Sequence, residues 1–300
     1  MKEETSVFYN ERSYQACVAM AWRTVFNGYR VVLKYAWPQA VLSGAGIALI
    51  AFLLFVYYQW LTPTALVVLG ILLLFYGLAT AMWQSAAYVQ MDFFRATGEL
   101  PVRSSYAFLD NLRRRLPRSI VSLLLFVLTV VAFGGCVYAA FRLSAWWWVA
   151  VAVVIALSVV GGLWSQFMLT EDCSPRRAFD LLRSEGLKST GSWFLVQLTG
   201  WVTVWVCSSV LFLPTVVLSA SYFVSRIGEL NGDLPGMPAY AAWLYFIVAW
   251  LGGTGMHLMT LLAIWPRSLM AASIISKARN REKQEEELQK LRNEQQALRA

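Results

Sequence analysis

Histidine occurs once in this 300-residue chain, and charge is scarce: 14% of the residues are Asp, Glu, Lys or Arg, where soluble domains average about 25%. From Tyr35 to Met91 there is no Asp, Glu, Lys, Arg or His at all. With 58% hydrophobic residues and a mean hydropathy of +0.55, the chain has more apolar surface than a water-soluble core of this size can bury. That excludes a soluble globular domain. The recognisable enzyme signatures are missing too: there is no HExxH, no GxSxG and no P-loop. We therefore expect no enzyme and no cofactor. A single histidine cannot assemble a metal site. Cys17, Cys136, Cys173 and Cys207 show no CxxC spacing and read as small apolar residues. No cleavable signal peptide is expected, because Met1 to Arg12 is polar and no signal-like apolar core follows it.

What is present is a series of long apolar runs. A crossing needs about 20 apolar residues, and six stretches qualify: 40–60, 64–88, 119–140, 145–168, 193–222 and 240–265. Leu61-Thr62-Pro63-Thr64 punctuates the first pair, and Phe141 to Ser144 forms a tight turn in the second. Phe223 to Ala239 reads as a loop with turn residues Asn231-Gly232 and Pro235-Gly236 in the third. The fifth run is too long for a straight crossing and contains Pro214, so a kink or tilt is expected there.

Between the runs lie polar segments. Ser13 to Lys34 has helical periodicity, with Tyr14, Val18, Ala21, Trp22, Val25, Phe26, Tyr29, Val32 and Leu33 on one face and Arg23, Arg30 and Lys34 on the other. Such a helix lies in the headgroup plane or packs on the bundle, and the two are compatible. Trp37-Pro38 is expected to end it. Gly98 to Pro101 reads as a turn. Ser104 to Leu116 is again amphipathic, with Ser105, Phe108, Leu109, Leu112 and Leu116 on one side and Arg113, Arg114 and Arg115 off it. Ser174-Pro175 looks like a helix start. Ala178, Phe179 and Leu182 follow as an apolar face among Arg176, Arg177 and Arg183, and Gly186 reads as a C-cap. Glu171-Asp172 reads as solvated surface charge. Pro266 is expected to end the sixth span. Met270 to Ala300 reads as a charged helix in which Leu288, Leu291 and Leu298 keep an a/d-like spacing that Gln284 and Gln295 interrupt. It is either simply solvated or a docking or oligomerisation helix.

Charge placement orients the chain. With both termini inside, the inner segments hold all but two of the 25 Lys and Arg residues, the exceptions being Arg142 and Arg226. The net charge of +8 is thus spread along a membrane surface, as anionic headgroups attract it. This argues against nucleic acid as the partner. Arg23, Arg30, Lys34, Arg113, Arg114, Arg115, Arg118, Arg176, Arg177 and Arg183 are the expected membrane-surface basic residues. Trp60, Trp146, Trp147, Trp148 and Tyr240 fall near outer ends, and Trp37, Trp83, Trp193 and Trp265 near inner ends, as an aromatic belt would. The expectation is an all-α polytopic membrane bundle in a bacterial inner (cytoplasmic) membrane. It has six transmembrane helices, cytoplasmic amphipathic helices and both termini cytoplasmic. The chain divides as 1–38, a tail and amphipathic helix; 39–265, the transmembrane domain; and 266–300, the charged C-terminal helix. Three units, each an amphipathic segment followed by a hairpin, share one orientation, unlike the inverted repeats of many transporters.

Six spans, Trp37-Pro38 after a first amphipathic helix and amphipathic segments before the later hairpins resemble a loose group of bacterial inner-membrane proteins. That group includes the membrane domain attached to some glycerophosphodiester phosphodiesterases. The likeness covers most of residues 13–265 and is one of layout. It brings no catalytic residues.

Inside the spans, His257 within Gly252-Gly253-Thr254-Gly255-Met256-His257 is the lone candidate titratable group. It reads either as a proton-linked or ligand-binding residue on a glycine-loosened helix or as a histidine hydrogen-bonded between closely packed helices. Pro214 is the companion candidate, as a point of mobility. Gly44/Gly46 and Gly161/Gly162 suit helix packing. Two functions are expected from this layout. One is a non-enzymatic scaffold or accessory protein working through its cytoplasmic face, with a protein partner or a second copy on the C-terminal helix. The other is a transporter or flippase for a lipid or amphipathic molecule.

Overall fold

The computed structural model describes residues 12–57, 62–97, 105–232, 236–238 and 240–297, and all of the regular structure among them is helical. The helices are α1 (Tyr14–Asn27), α2 (Tyr29–Phe52), α3 (Pro63–Thr97), α4 (Ser105–Arg142), α5 (Trp147–Glu171), α6 (Pro175–Leu181), α7 (Thr190–Leu230) and α8 (Tyr240–Ala297). A π turn, Leu53–Tyr57, extends α2, and a π turn and a 3-10 turn, Leu182–Gly186 and Leu187–Ser189, join α6 to α7. Six helices carry stretches long and apolar enough to cross a membrane. Their outward faces are as apolar as a core: Leu74 is 77% exposed, Val210 70% and Leu251 65%. Water would not tolerate such a girdle, and a bilayer requires it. The chain is a multi-pass helical membrane protein.

α8 is the axis, against which α1, α2, α3, α5 and α7 all pack. α4 lies outside, against α3 and α5. Small residues set the closest approach. A Cβ added to Gly44 of α2 would stand 2.6 Å from the Thr254 backbone nitrogen and 2.9 Å from the Trp250 carbonyl oxygen. Gly200 of α7 meets Ala263 in the same way, at 3.0 Å. Gly46 packs on Tyr76, whereas Gly161 faces open space and does not mediate packing.

Two expected breaks are absent: α2 runs through Pro38 and α8 through Pro266. Pro117 lies inside α4, and Pro214 lies inside α7 as expected. An interior proline costs one hydrogen bond and some steric strain. Here the flanking turns are held by tertiary contacts, with Ala40, Ser43, Trp265 and Leu269 at most 1% exposed. The first helix breaks instead at Gly28, which departs from helical geometry (φ −100°, ψ 16°) at a residue with no Cβ to hinder it. α7 runs eight residues into the expected 223–239 loop. The Asn231-Gly232 turn then ends it, with Gly232 at φ +94°. Ser13 and Ser174 cap α1 and α6 as their side chains accept from Ala16 N and Arg177 N, each at 3.3 Å. Gly186 is no C-cap. It sits in the π turn, where a Cβ would meet Leu182 and Phe167 at 3.1 Å. The expected Gly98–Pro101 turn, Trp60, Pro235, Leu298 and the side chains of Phe108, Leu109 and Leu112 lie outside the described residues.

Candidate functional site at the charged end

One end of the bundle gathers the C-terminal ends of α3 and α5, the N-terminal turns of α4, the α6–α7 connection and the middle of α8. α1 lies across it, packed on α8 through Cys17, Ala21 and Val25, with Trp22 Nε1 donating to the Leu262 carbonyl at 2.9 Å. Phe26 and Tyr29, from the same expected face, remain outside at 61% and 49% exposure. α1 is therefore packed on the bundle and still presents aromatics outward.

The charges at this end are paired. Arg115, expected at the membrane surface, is 3% exposed. It forms an ion pair with Asp92 and also donates to the Leu169 carbonyl, tying α3, α4 and α5 together. Burial of a guanidinium is tolerated because it is both paired and hydrogen-bonded. Asp172, with φ +53°, caps α5 in the left-handed conformation and receives both Arg114 and Arg118. Glu171 pairs with Arg279 at 2.7 Å. The Glu171-Asp172 pair is thus bonded rather than solvated, because α4 and α8 bring arginines to it. Arg23, Arg30, Lys34, Arg113, Arg176, Arg177 and Arg183 are exposed, and Arg30 leans over Tyr29 with Cζ 5.8 Å from the ring centre.

Glu185 is the most enclosed carboxylate of this group. It is 1% exposed, in the π turn before α7, and it faces Lys188 at 3.4 Å, Lys277 at 3.7 Å and Arg281. Its burial acts to raise the carboxyl, but the Lys188 hydrogen bond and the charges of Arg281, Lys188 and Lys277 outweigh it and hold the group below the usual carboxylate range. Arg177 adds a contact to Glu282 at 3.9 Å. Together these bonds clamp α8 where it leaves the bundle. From Arg279 to Gln296 every position is exposed, and at about 1.5 Å per residue this arm is about 27 Å long.

His257 lies away from this end. It is 2% exposed, with Nδ1 3.0 Å from the Gly253 carbonyl oxygen and edge-to-face contacts to Tyr76 and Trp83. Trp83 Nε1 donates to Thr260 Oγ1, which donates to the His257 carbonyl. Gly253 packs on Gly44, which brings α2 against this turn. The hydrogen bonds to the His257 ring and carbonyl stay within α8, and its ring contacts to Tyr76 and Trp83 are packing contacts with α3. Pro214 is exposed on α7; the turn before it, Leu211 and Phe212, packs on Gly252 and Gly255 of the α8 segment that leads to His257. Trp83, Trp193 and Trp265, expected in an inner belt, are buried at 2% or less and fill the core of the charged end. Trp37 and Trp146 to Trp148 remain outside.

No family model, curated protein or solved structure matches this chain. Its chemistry rests on its own residues. Among the described residues no group of three His, Cys, Asp or Glu is placed to hold a metal.

One functional candidate was not legible from the sequence. Arg267 follows Pro266 and counts, by position, as a charge beyond the sixth span. Because α8 does not stop at the proline, its side chain turns back along the helix: Nε donates to the Ala263 carbonyl at 3.0 Å, and Cζ lies 5.2 Å from the centre of the Trp201 ring. Trp201 lies within an apolar run and stacks on Phe126 at 6.2 Å. The guanidinium therefore points into the apolar layer. The signal that could have exposed it is the uninterrupted small and apolar pattern after Pro266, Leu269 to Ile275, which continues a buried helix.

Proposed function

We propose that the chain is a non-enzymatic accessory or scaffold protein of a bacterial inner (cytoplasmic) membrane. In this reading the charged end faces the cytoplasm and the C-terminal arm of α8 is the coupling element. The observation that carries it is the clamp on α8: Glu171 and Glu185 fix the helix where it emerges, and the arm beyond is fully exposed. A merely solvated tail needs no such anchoring.

The partner that suits the arm is a second copy. Gln284, Leu288, Leu291 and Gln295 follow a four-three-four spacing, and Leu288 and Leu291 are 58% and 56% exposed. Two copies standing the same way up in one membrane present parallel arms. Glu287 and Arg292 then flank the seam five residues apart, the offset at which parallel coiled-coil helices exchange salt bridges. The seam is short for a free coiled coil, but co-residence in the membrane raises the effective concentration of the arms. Native mass spectrometry of the full chain in mild detergent tests this. A dimer that dissociates in Leu288→Lys/Leu291→Lys supports it. A monomer carrying a different protein on the arm replaces the partner, and a monomer with nothing on the arm refutes the coupling role.

A second reading, a transporter or flippase for a lipid or amphipathic molecule, is favoured by Arg267, a cation directed into the apolar layer where charge is kept for a use. Flux of labelled lipid in reconstituted vesicles tests it, and no flux above protein-free vesicles refutes it.

A further inference from the structure

We propose that Arg267 is the anion-binding group of a lipid site that opens sideways between α4, α5 and α7, and that its ligand is the oxyanion headgroup of a membrane amphiphile. This rests only on the chain lying in a membrane and is independent of whether the arms pair or any lipid is moved. From Leu261 to Ser276 every residue of α8 is buried except Arg267. That single partly open position marks a gap in the wall of helices around the axis. Trp201 and Phe126, stacked at 15° between planes, form one side of it.

Among the described residues no carboxylate lies within ion-pair distance of the guanidinium, and the carboxylates at the charged end are committed elsewhere: Asp92 to Arg115, Asp172 to Arg114 and Arg118, Glu171 to Arg279. Of its five donors, Nε is used by the Ala263 carbonyl. The terminal nitrogens present the planar fork that matches a phosphate or carboxylate. An uncompensated cation at this depth is costly, and a bound oxyanion removes the cost.

Gln197, one turn before Trp201, adds a second sign of a polar occupant. Its Oε1 is buried with no hydrogen-bond partner, on the face where α7 approaches Gly162 of α5. The antiparallel register that sets Gly200 against Ala263 places Gln197 level with Pro266 and Arg267. An acyl chain alone would leave both groups unsatisfied, whereas a headgroup bearing an oxyanion and a hydroxyl or ammonium answers both. The oxyanion comes either from the phosphodiester of a phospholipid, whose headgroup hydroxyl or ammonium then also answers Gln197, or from the carboxylate of a free fatty acid, which answers Arg267 alone.

The test is native mass spectrometry of the delipidated full chain with added phosphatidylglycerol, phosphatidylethanolamine or oleate. The wild type is expected to retain one tightly bound lipid, and Arg267→Gln to lose at least about 10-fold in affinity for it, the scale of a lost charge-assisted hydrogen bond. Arg267→Lys is expected to fall between them, and it carries the test if Arg267→Gln does not fold. Arg113→Gln, an exposed charge, is expected to bind as the wild type does. Preference for the phospholipids identifies the phosphodiester as the source, and preference for oleate the carboxylate. Equal binding by the wild type and Arg267→Lys together with Arg267→Gln, or no lipid retained by the wild type, overturns the assignment.

Discussion

Gly44→Ala adds one methyl group to a 300-residue protein, and the structure makes it expensive. The new Cβ would lie 2.6 Å from Thr254 N, where ordinary contact begins at 3.4 Å. The shortfall is 3.4 − 2.6 = 0.8 Å. The Thr254 hydroxyl also obstructs and can rotate away, but Thr254 N and the Trp250 carbonyl oxygen belong to the α8 backbone, so no rotamer change relieves the clash and α2 must move off α8. A gap of about 0.5–1 Å forfeits a quarter to a half of each dispersion contact along the seam. That seam includes Ala40, Ser43 and Ala48 on one side and Tyr245 and Ala249 on the other, all buried completely. Overpacking costs about 1–3 kcal/mol, and a seam this close should reach the upper end. About 3 kcal/mol corresponds to a melting-temperature loss of about 6–12 °C at about 2–4 °C per kcal/mol. The control is Gly70→Ala on α3, where nothing lies within 4 Å of the new Cβ. There the better helix former is expected to be neutral or to stabilise by about 0.5–1 kcal/mol. Thermal unfolding followed by tryptophan emission in mild detergent compares them. Equal melting temperatures for the two variants would refute the close α2–α8 approach.

Three further outcomes follow from the charged end. Arg115→Ala removes the buried cation that pairs with Asp92 and donates to the Leu169 carbonyl and should cost about 3 kcal/mol, the low end for breaking a buried pair, while Arg115→Met with Asp92→Asn should recover most of it; additive losses in that double-mutant cycle would contradict the pairing. Cys17 is completely buried, and burial, opposed by Arg12, pushes its thiol up to about 11 from 9.0. Its thiolate fraction near neutral pH is then about 100-fold below that of an ordinary thiol, so among single-cysteine variants Cys17 should label slowest with maleimide unless the protein is unfolded. The Glu185 carboxyl lies below its usual range when the arm is docked. Its contribution is therefore fully present above about pH 4.3, the free glutamate value, and is lost as pH falls through the lower folded-state value. Hydrogen exchange across 277–284 should rise at acid pH, and Glu185→Gln should raise it already at pH 7; an unchanged profile in that variant would remove Glu185 from the clamp.

The number and position of the helices were legible because a bilayer imposes one simple rule, about 20 apolar residues per crossing, and the chain obeys it six times. Helix starts were legible where local chemistry decides them, as at Ser13 and Ser174, whereas the turn at Asn231-Gly232 was legible but the eight further residues of α7 that reach it were not. Nor was the helix course legible at Pro38 and Pro266, where the local cost of proline is outweighed by packing contacts that lie far away in sequence. The same distinction governs the charges. Arg115 and Arg113 look alike in sequence, and only the fold turns one toward Asp92 and the other outward. Trp83, Trp193 and Trp265 fit a belt by position, yet the axis helix needed large side chains around it at the charged end. Arg267 escaped notice because a helix that does not stop at Pro266 carries it back toward the apolar layer.

Sidedness is the claim on which the functional reading depends, and cysteine labelling in a cysteine-free background measures it most directly. Leu143→Cys, in the turn between α4 and α5, and Gln289→Cys, on the arm, would each be exposed to a membrane-impermeant maleimide on intact spheroplasts. Labelling at position 143 in intact spheroplasts, with labelling at 289 appearing only after permeabilisation, is the predicted result. The reverse pattern, or labelling of both without permeabilisation, would contradict a cytoplasmic charged end and the role proposed for the arm.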